Sequence, residues 1–279
     1  MEAVSFTAQW TAAARAIESE RADSLFTDPF ARALAGESGF RLLERYASPV
    51  TVEYLALRTA YLDRQVVRAA TEHGIRQVVF VAAGMDTRAY RLAWPDGTTL
   101  YELDHAALLK TKEEVLAEHA PSAGTTRVTV PVDLAGSWEG ALKDAGLHTG
   151  SATLWVVEGL LYYLPEEAAR RLLHTVARLS GPGSMFCGDL VSRAALDNPV
   201  ARPFLRALAD DGAPWLFGTD EPEELLAECG WSVGEVLQPG EDGSGRWPYL
   251  VLPRHVTEVP RNFLLTATLA ASGNAPDAR

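Results

Sequence analysis

Carboxylates recur at the ends of short apolar runs through the middle of this 279-residue chain. QVVFVAA (77–83) leads into Gly84-Met85-Asp86-Thr87-Arg88, and TTLYELD (98–104) ends on Glu102 and Asp104. RVTVPVD (127–133) delivers Asp133-Leu134, TLWVVEG (153–159) delivers Glu158-Gly159, and SMFCGDLV (184–191) carries Asp189. One such acid is an ordinary helix N-cap. Five runs in succession say more, because Ser, Thr and Asn cap equally well. A cleft rimmed with carboxylates disfavours a phosphorylated ligand and favours a cationic one. The GxGxxG turn that holds a dinucleotide pyrophosphate needs glycine at 82, 84 and 87; only Gly84 complies, and Asp86 would repel the phosphates. Asp104, 20 residues after Gly84, is spaced to accept a ribose diol. A nucleoside bearing positive charge fits this set, and S-adenosylmethionine is one: adenosine, a sulfonium, an ammonium and a single carboxylate. That carboxylate needs a cation, for which Arg58 is the candidate. The competing reading of Arg58 is a boundary arginine snorkelling to water.

The elements that must position these groups follow from periodicity. The first 75 residues read as helices. Asp28-Pro29 offers a helix start and Gly36 a stop, and a longer helix runs from about Thr51 to His73. Its core-facing stripe is Val52, Leu55, Thr59, Leu62 and Val66; Arg58 lies beside the stripe, Arg64 and Arg68 opposite it. From Gln77 the five apolar runs alternate with helical stretches such as 105–119 and 165–179, the signature of a mostly parallel sheet covered on both faces. Residues 192–220 are irregular to helical, and WSVGEVL (231–237) and NFLLTATL (262–269) add two late strands, making seven. QPGEDGSGRWP (238–248) reads as a mobile surface loop, and the last ten residues as a frayed end. The organisation expected is a helical cap over 1–75 and an α/β unit over 76–279 with a lid insertion at about 192–220.

Composition removes other classes. The net charge of −12 argues against phosphate-backbone binding, so no nucleic-acid partner is expected. No apolar run approaches the ~18 residues of a membrane span, and the N-terminus lacks a secretory pattern. Cys187 and Cys229 form no CxxC pair, which suits free thiols in a reducing cytoplasm. The scattered histidines make no metal motif.

The segments RADSLFTDPFARALAG, EYLALRTAYLD, GIRQVVFVAAGMDTRAYRLAW, YELDHAALLKTK, VPVDLAGSW and VVEGLLYYLPEEAARRLL together resemble the leucine carboxyl methyltransferase family. More narrowly they resemble its bacterial branch of S-adenosylmethionine-dependent O-methyltransferases, several of which act in natural-product pathways. The resemblance implies a Rossmann-like class I methyltransferase fold. It also implies that Arg58 holds the methionine carboxylate, Ala82 and Gly84 form the turn beneath the methionine moiety, and Asp104 binds the ribose. Asp133 and Leu134 would flank the adenine, and Glu158 would lie near the methionine end. Ala82 departs from the glycine of eukaryotic members, and its methyl is expected to shift the loop slightly without preventing binding.

Methyl transfer from a sulfonium is an in-line displacement in which the protein mainly aligns the acceptor and excludes water. A carboxylate acceptor needs no base, whereas a hydroxyl does, with Tyr162, Tyr163 and His105 as candidates. Tyrosine packing and a helix-capping histidine are the plain alternatives. The acceptor pocket should draw on the N-terminal helices and on 192–220, with Arg193, Trp215 and Phe217 as substrate contacts and Arg202 and Phe204 nearby. A small-molecule acceptor in the cytoplasm is the expectation. A non-catalytic nucleoside-binding regulator and a peptide C-terminal carboxyl methyltransferase are the alternatives. The oligomeric state has no signature.

Overall fold

The computed structural model describes residues 3–46, 50–119, 125–241 and 243–270. Of the end expected to fray, only Ala270 lies among them. Seven strands form one sheet: β1 (Gln77–Val81), β2 (Thr99–Asp104), β3 (Thr126–Pro131), β4 (Thr153–Val157), β5 (Met185–Val191), β6 (Trp231–Leu237) and β7 (Asn262–Leu269). Their order is β3-β2-β1-β4-β5-β7-β6, with β7 antiparallel to both neighbours and the first five strands parallel. Chain direction across the sheet reverses between β1 and β4, which opens a crevice at their carboxyl ends.

Strand periodicity sorts the core into two layers. Val79 and Val81 face one way with Leu103, Trp155 and Phe186, under Leu172, Leu173 and Val176 of a helix over Glu166–Leu179. Val78 and Phe80 face the other way with Leu100, Leu154 and Cys187, under Tyr61, Leu62 and Val66 of the helix Thr51–Thr71. Helices are numbered in chain order: α1 (Ala3–Ser19), α2 (Ala31–Tyr46), α3 (Thr51–Thr71), α4 (Arg88–Arg91), α5 (Ala106–His119), α6 (Glu139–Asp144), α7 (Glu166–Leu179), α8 (Arg193–Leu196), α9 (Arg202–Asp210) and α10 (Pro222–Glu228). Between β4 and α7 a 3-10 turn covers Leu161–Tyr163. Both cysteines are free and buried, and burial pushes the Cys187 thiol up to about 12.

A third cluster joins α1, α2 and the start of α3 through Trp10, Leu34, Leu43, Tyr46 and Leu55, and Leu208 of α9 packs into it. Gly36 does not stop α2. It takes φ +54°, kinks the helix, and the helix resumes to Tyr46 because Gly39 and Leu43 continue its buried face. Arg246, in the β6–β7 connection, donates from Nε to Glu53 (2.8 Å) and from Nη2 to Glu18 (3.0 Å). The stretch expected to hang free is therefore docked onto α1 and α3 by paired charges. Among the described residues no helix is long and apolar enough to cross a membrane.

The α1–α2 contact leaves no room at Gly39, where an added Cβ would stand 2.5 Å from the Gln9 carbonyl oxygen. Ala usually stabilises a helix interior over Gly by about 1 kcal/mol, so Gly39→Ala tests this contact by its sign. We expect it to lose about 2 kcal/mol or more in urea unfolding, since backbone must move. A gain would show that the two helices can separate without penalty.

Candidate active site

A cavity of about 640 Å³ opens at the carboxyl ends of β1, β2, β3 and β4 and runs under α1, α3 and the segment 195–215. Every residue proposed from sequence for the cofactor lines it: Arg58, Ala82, Gly84, Asp104, Asp133, Leu134 and Glu158. So do Tyr162, Tyr163, His105 and Trp215.

At the β1 end the chain turns through two left-handed residues, Ala82 (φ +59°) and Gly84 (φ +50°). Ala82 thus holds a left-handed conformation that costs a non-glycine residue about 1–2 kcal/mol of backbone strain. An added Cβ on Gly84 would come within 3.2 Å of the Ala8 methyl, so glycine there lets α1 close over the turn. The turn is fixed from β2: the Gly84 N–H donates to Asp104 Oδ2 and the His105 N–H to Oδ1, both at 2.8 Å. Burial raises the Asp104 carboxyl above its ordinary value, against the lowering effect of those two donors. Asp133 is exposed at the rim, its Oδ1 accepting the Ala135 N–H, with Leu134 half-buried beside it.

Arg58 is not the solitary counter-charge that the sequence suggested. Its Nε donates to Glu158 Oε1 (2.9 Å) and its Nη1 to Asp189 Oδ2 (3.0 Å) and the Tyr162 hydroxyl (3.0 Å). The other Glu158 oxygen takes Arg88 Nη1 (2.8 Å), and Arg88 also pairs with Asp86 and with Asp63 (2.7 Å). Asp63 binds Arg91 in turn (2.5 Å), and Asp28 lies 2.9 Å from Arg15 and 4.0 Å from Arg91. Four guanidiniums and five carboxylates form one connected chain. Burial alone would raise the Glu158 carboxyl, but Arg88 and Arg58 outweigh it and hold it at about 2. Gly159 (φ +65°) completes this end: a Cβ there would sit 3.2 Å from Arg58 Nη1, so its absence lets backbone approach the guanidinium.

Two of the six acids at the strand ends do not reach the cleft. Glu102 is buried against Lys112 Nζ and Arg127 Nη2, both at 2.8 Å, and ties β2 to α5 and β3. Asp189 lies wholly buried behind Arg58 and accepts the Gly159 N–H (2.6 Å) and the Tyr54 hydroxyl (2.9 Å). Two substrate candidates are also misplaced. Arg193 is exposed at the start of α8, outside the cavity wall, and Phe217 packs into the core with Leu190 and Leu225. In the irregular segment after α9, Trp215 lines the cavity, Leu216 is half exposed and Phe217 turns into the core. Phe204 lines the cavity, whereas Arg202 is exposed. Sequence reading missed Arg15, Arg88 and Arg91; the Arg88/Arg91 spacing of three, one helical turn, was the available signal. Among the described residues no cluster of His, Cys, Asp or Glu is placed to hold a metal.

A mostly parallel seven-stranded sheet closed by an antiparallel β7, with the cavity over β1, β2, β3 and β4, defines the Rossmann-like class I methyltransferase fold. Residues 8–177 match the model of the leucine carboxyl methyltransferase family, and the chain belongs to that family. A Streptomyces coelicolor relative is 38% identical, covering 89% of this chain and 90% of its own length. A Frankia alni relative is 45% identical over 82% of this chain and 84% of its own. Both are provisionally named S-adenosyl-L-methionine-dependent methyltransferases. Among solved structures, a DUF574 family protein from Streptomyces avermitilis superposes with a TM-score of 0.66 at 16% identity, covering 92% of this chain and 96% of that one. A Thermobifida fusca protein superposes at 0.61 and 17%, covering 85% and 90%. At these identities the likeness is one of fold. By family, the reaction class is methyl transfer dependent on S-adenosylmethionine.

The depressed Glu158 carboxyl makes a pH prediction. Its contribution to stability is complete above the ordinary value of 4.5 and is lost as pH falls toward about 2. Glu158→Gln should therefore destabilise by up to about 3 kcal/mol at neutral pH, with the gap from wild type closing at acid pH. Urea unfolding at several pH values measures it, and a gap unchanged at the acid end contradicts the ion-chain account.

Proposed function

We propose that this chain methylates a carboxylate oxygen of a small organic acid. The observation that carries this reading is the state of the tyrosines beside Glu158. Burial and the nearby Asp189 raise the Tyr162 hydroxyl well above its ordinary range, and burial pushes Tyr163 up to about 12. Groups that keep their protons at pH 7 cannot take one from a hydroxyl acceptor. The third base candidate, His105, follows Asp104 at the end of β2, whereas the tyrosines follow β4. A carboxylate acceptor is already ionised and needs no base.

The residues present suit the cofactor. Asp104, oriented by two backbone donors, would accept the ribose diol, and Asp133 and Leu134 would bound the adenine. None of the Arg58 bonds described above uses Nη2, which leaves that nitrogen for the cofactor's carboxylate. When bound, the cofactor supplies an activated methyl group on sulfur. The chain's own part is to orient the acceptor oxygen toward it and to exclude water with the aromatic wall of Trp10, Tyr162, Phe204 and Trp215.

S-adenosylmethionine and its demethylated product should raise the melting temperature, and Asp104→Ala should abolish that rise by removing the ribose acceptor. No rise at millimolar ligand, or a larger one from NADH, would defeat the cofactor assignment. With a panel of acids and phenols, demethylated product should appear with acids at a rate flat between about pH 6 and 9. A rate confined to phenols and climbing with pH would point to a hydroxyl acceptor.

A further inference from the structure

Five arginines line the cavity, and four of them belong to the ion chain. The fifth, Arg261, sits just before β7 and is 7% exposed. Its Nη1 donates to the Val259 carbonyl (3.1 Å) and its Nη2 to the Pro253 (2.9 Å) and Val256 (2.8 Å) carbonyls. Its Nε is buried, with no hydrogen-bond partner among the described residues. Among the described residues, no carboxylate stands within ion-pair distance of it. Three carbonyl dipoles orient the guanidinium without cancelling its charge, and a buried, uncompensated cation is costly unless something anionic joins it. Its backbone is pinned to the end of β5, since the Arg261 N–H donates to Ser192 Oγ (2.8 Å) and the Ser192 N–H to the Arg261 carbonyl (3.0 Å). Arg261 is thus held in place among the residues that line the cavity.

The same cavity carries a continuous run of rings. Trp10 and Phe204 lie 6.3 Å apart, Phe204 and Trp215 5.4 Å, Trp215 and Tyr162 4.6 Å, and Tyr162 and Tyr163 4.9 Å between centroids. All five line the space. The Trp10 Nε1 is also buried without a partner among the described residues, a donor left for an oxygen of a ligand. Flat rings favour a flat guest through edge and offset contacts.

We propose that Arg261 and this ring wall form the acceptor subsite and select an aromatic carboxylic acid, held by its charge at the guanidinium and by its ring against the wall. This rests on the methyl-transfer reading and adds the substrate class to it. At the other four cavity arginines an incoming anion competes with carboxylates of the chain itself; at Arg261 it meets none.

The test uses the full chain saturated with S-adenosylhomocysteine, titrated with 2-naphthoate and with its uncharged counterparts 2-naphthamide and methyl 2-naphthoate. The acid should bind at least about tenfold more tightly than either. In Arg261→Gln that preference should fall below about twofold while affinity for S-adenosylhomocysteine stays within about twofold of wild type. Arg261→Lys keeps the charge but not the bonds of the fork, and should retain most of the preference. It carries the test if Arg261→Gln no longer binds S-adenosylhomocysteine. The proposal is overturned if the acid does not bind, if its neutral counterparts bind equally, or if Arg261→Gln keeps the preference. Loss of the preference in Arg261→Lys overturns it as well, because the residue would then be acting through the loop. Failure of S-adenosylhomocysteine to bind the wild type strikes instead at the methyl-transfer reading.

Discussion

Glu158 accepts two arginines at once, and the geometry of the whole cavity depends on that sharing. One oxygen takes Arg58 from α3 and the other takes Arg88 from α4, so a single side chain at the end of β4 locks two helices to the sheet. The alternation continues through Asp63, Arg91, Asp28 and Arg15 to α1. Chains of this kind are coupled: with one member removed, its neighbour becomes an unpaired charge in a poorly solvated place. The cavity therefore combines a rigid polar floor with walls that differ in charge balance from one end to the other.

That difference divides the labour. At the β1–β2 end, backbone conformation decides the shape: two left-handed residues, a carboxylate bridging two N–H groups, and a glycine where a methyl would crowd α1. At the α9 end, side chains decide it, through rings contributed by α1, the 3-10 turn and the segment after α9. The first kind of site suits a ligand that is the same throughout a family. The second can be rebuilt by substitution without disturbing the sheet.

Legibility in the sequence follows the same division. The strands could be placed because unbroken apolar runs flanked by turn residues have few other readings; WSVGEVL and NFLLTATL coincide with β6 and β7. Gly84 and Asp104 could be found because a turn and an acid at the next strand end recur at a fixed spacing. Periodicity also separated Arg58 from Arg64 and Arg68, the latter two being exposed. It could not say what Arg58 touches, since Glu158 and Asp189 lie 100 and 131 residues away in sequence. Arg261 gave no signal at all, because its meaning comes from what does not surround it. Phe217 was misjudged for a local reason: the segment after α9 has no regular period, and composition does not tell which of its aromatics turns into the core and which stays at the cavity.

The docking of Arg246 has a consequence for how the molecule comes together. Its guanidinium meets Glu18 across 228 positions of sequence, so the cover formed by α1 and α3 cannot be clamped until nearly all of the sheet has been made. α1 and α2 pack on each other and on the start of α3 without it, but the Arg246 ion pairs need the β6–β7 connection, and contacts of such separation form slowly.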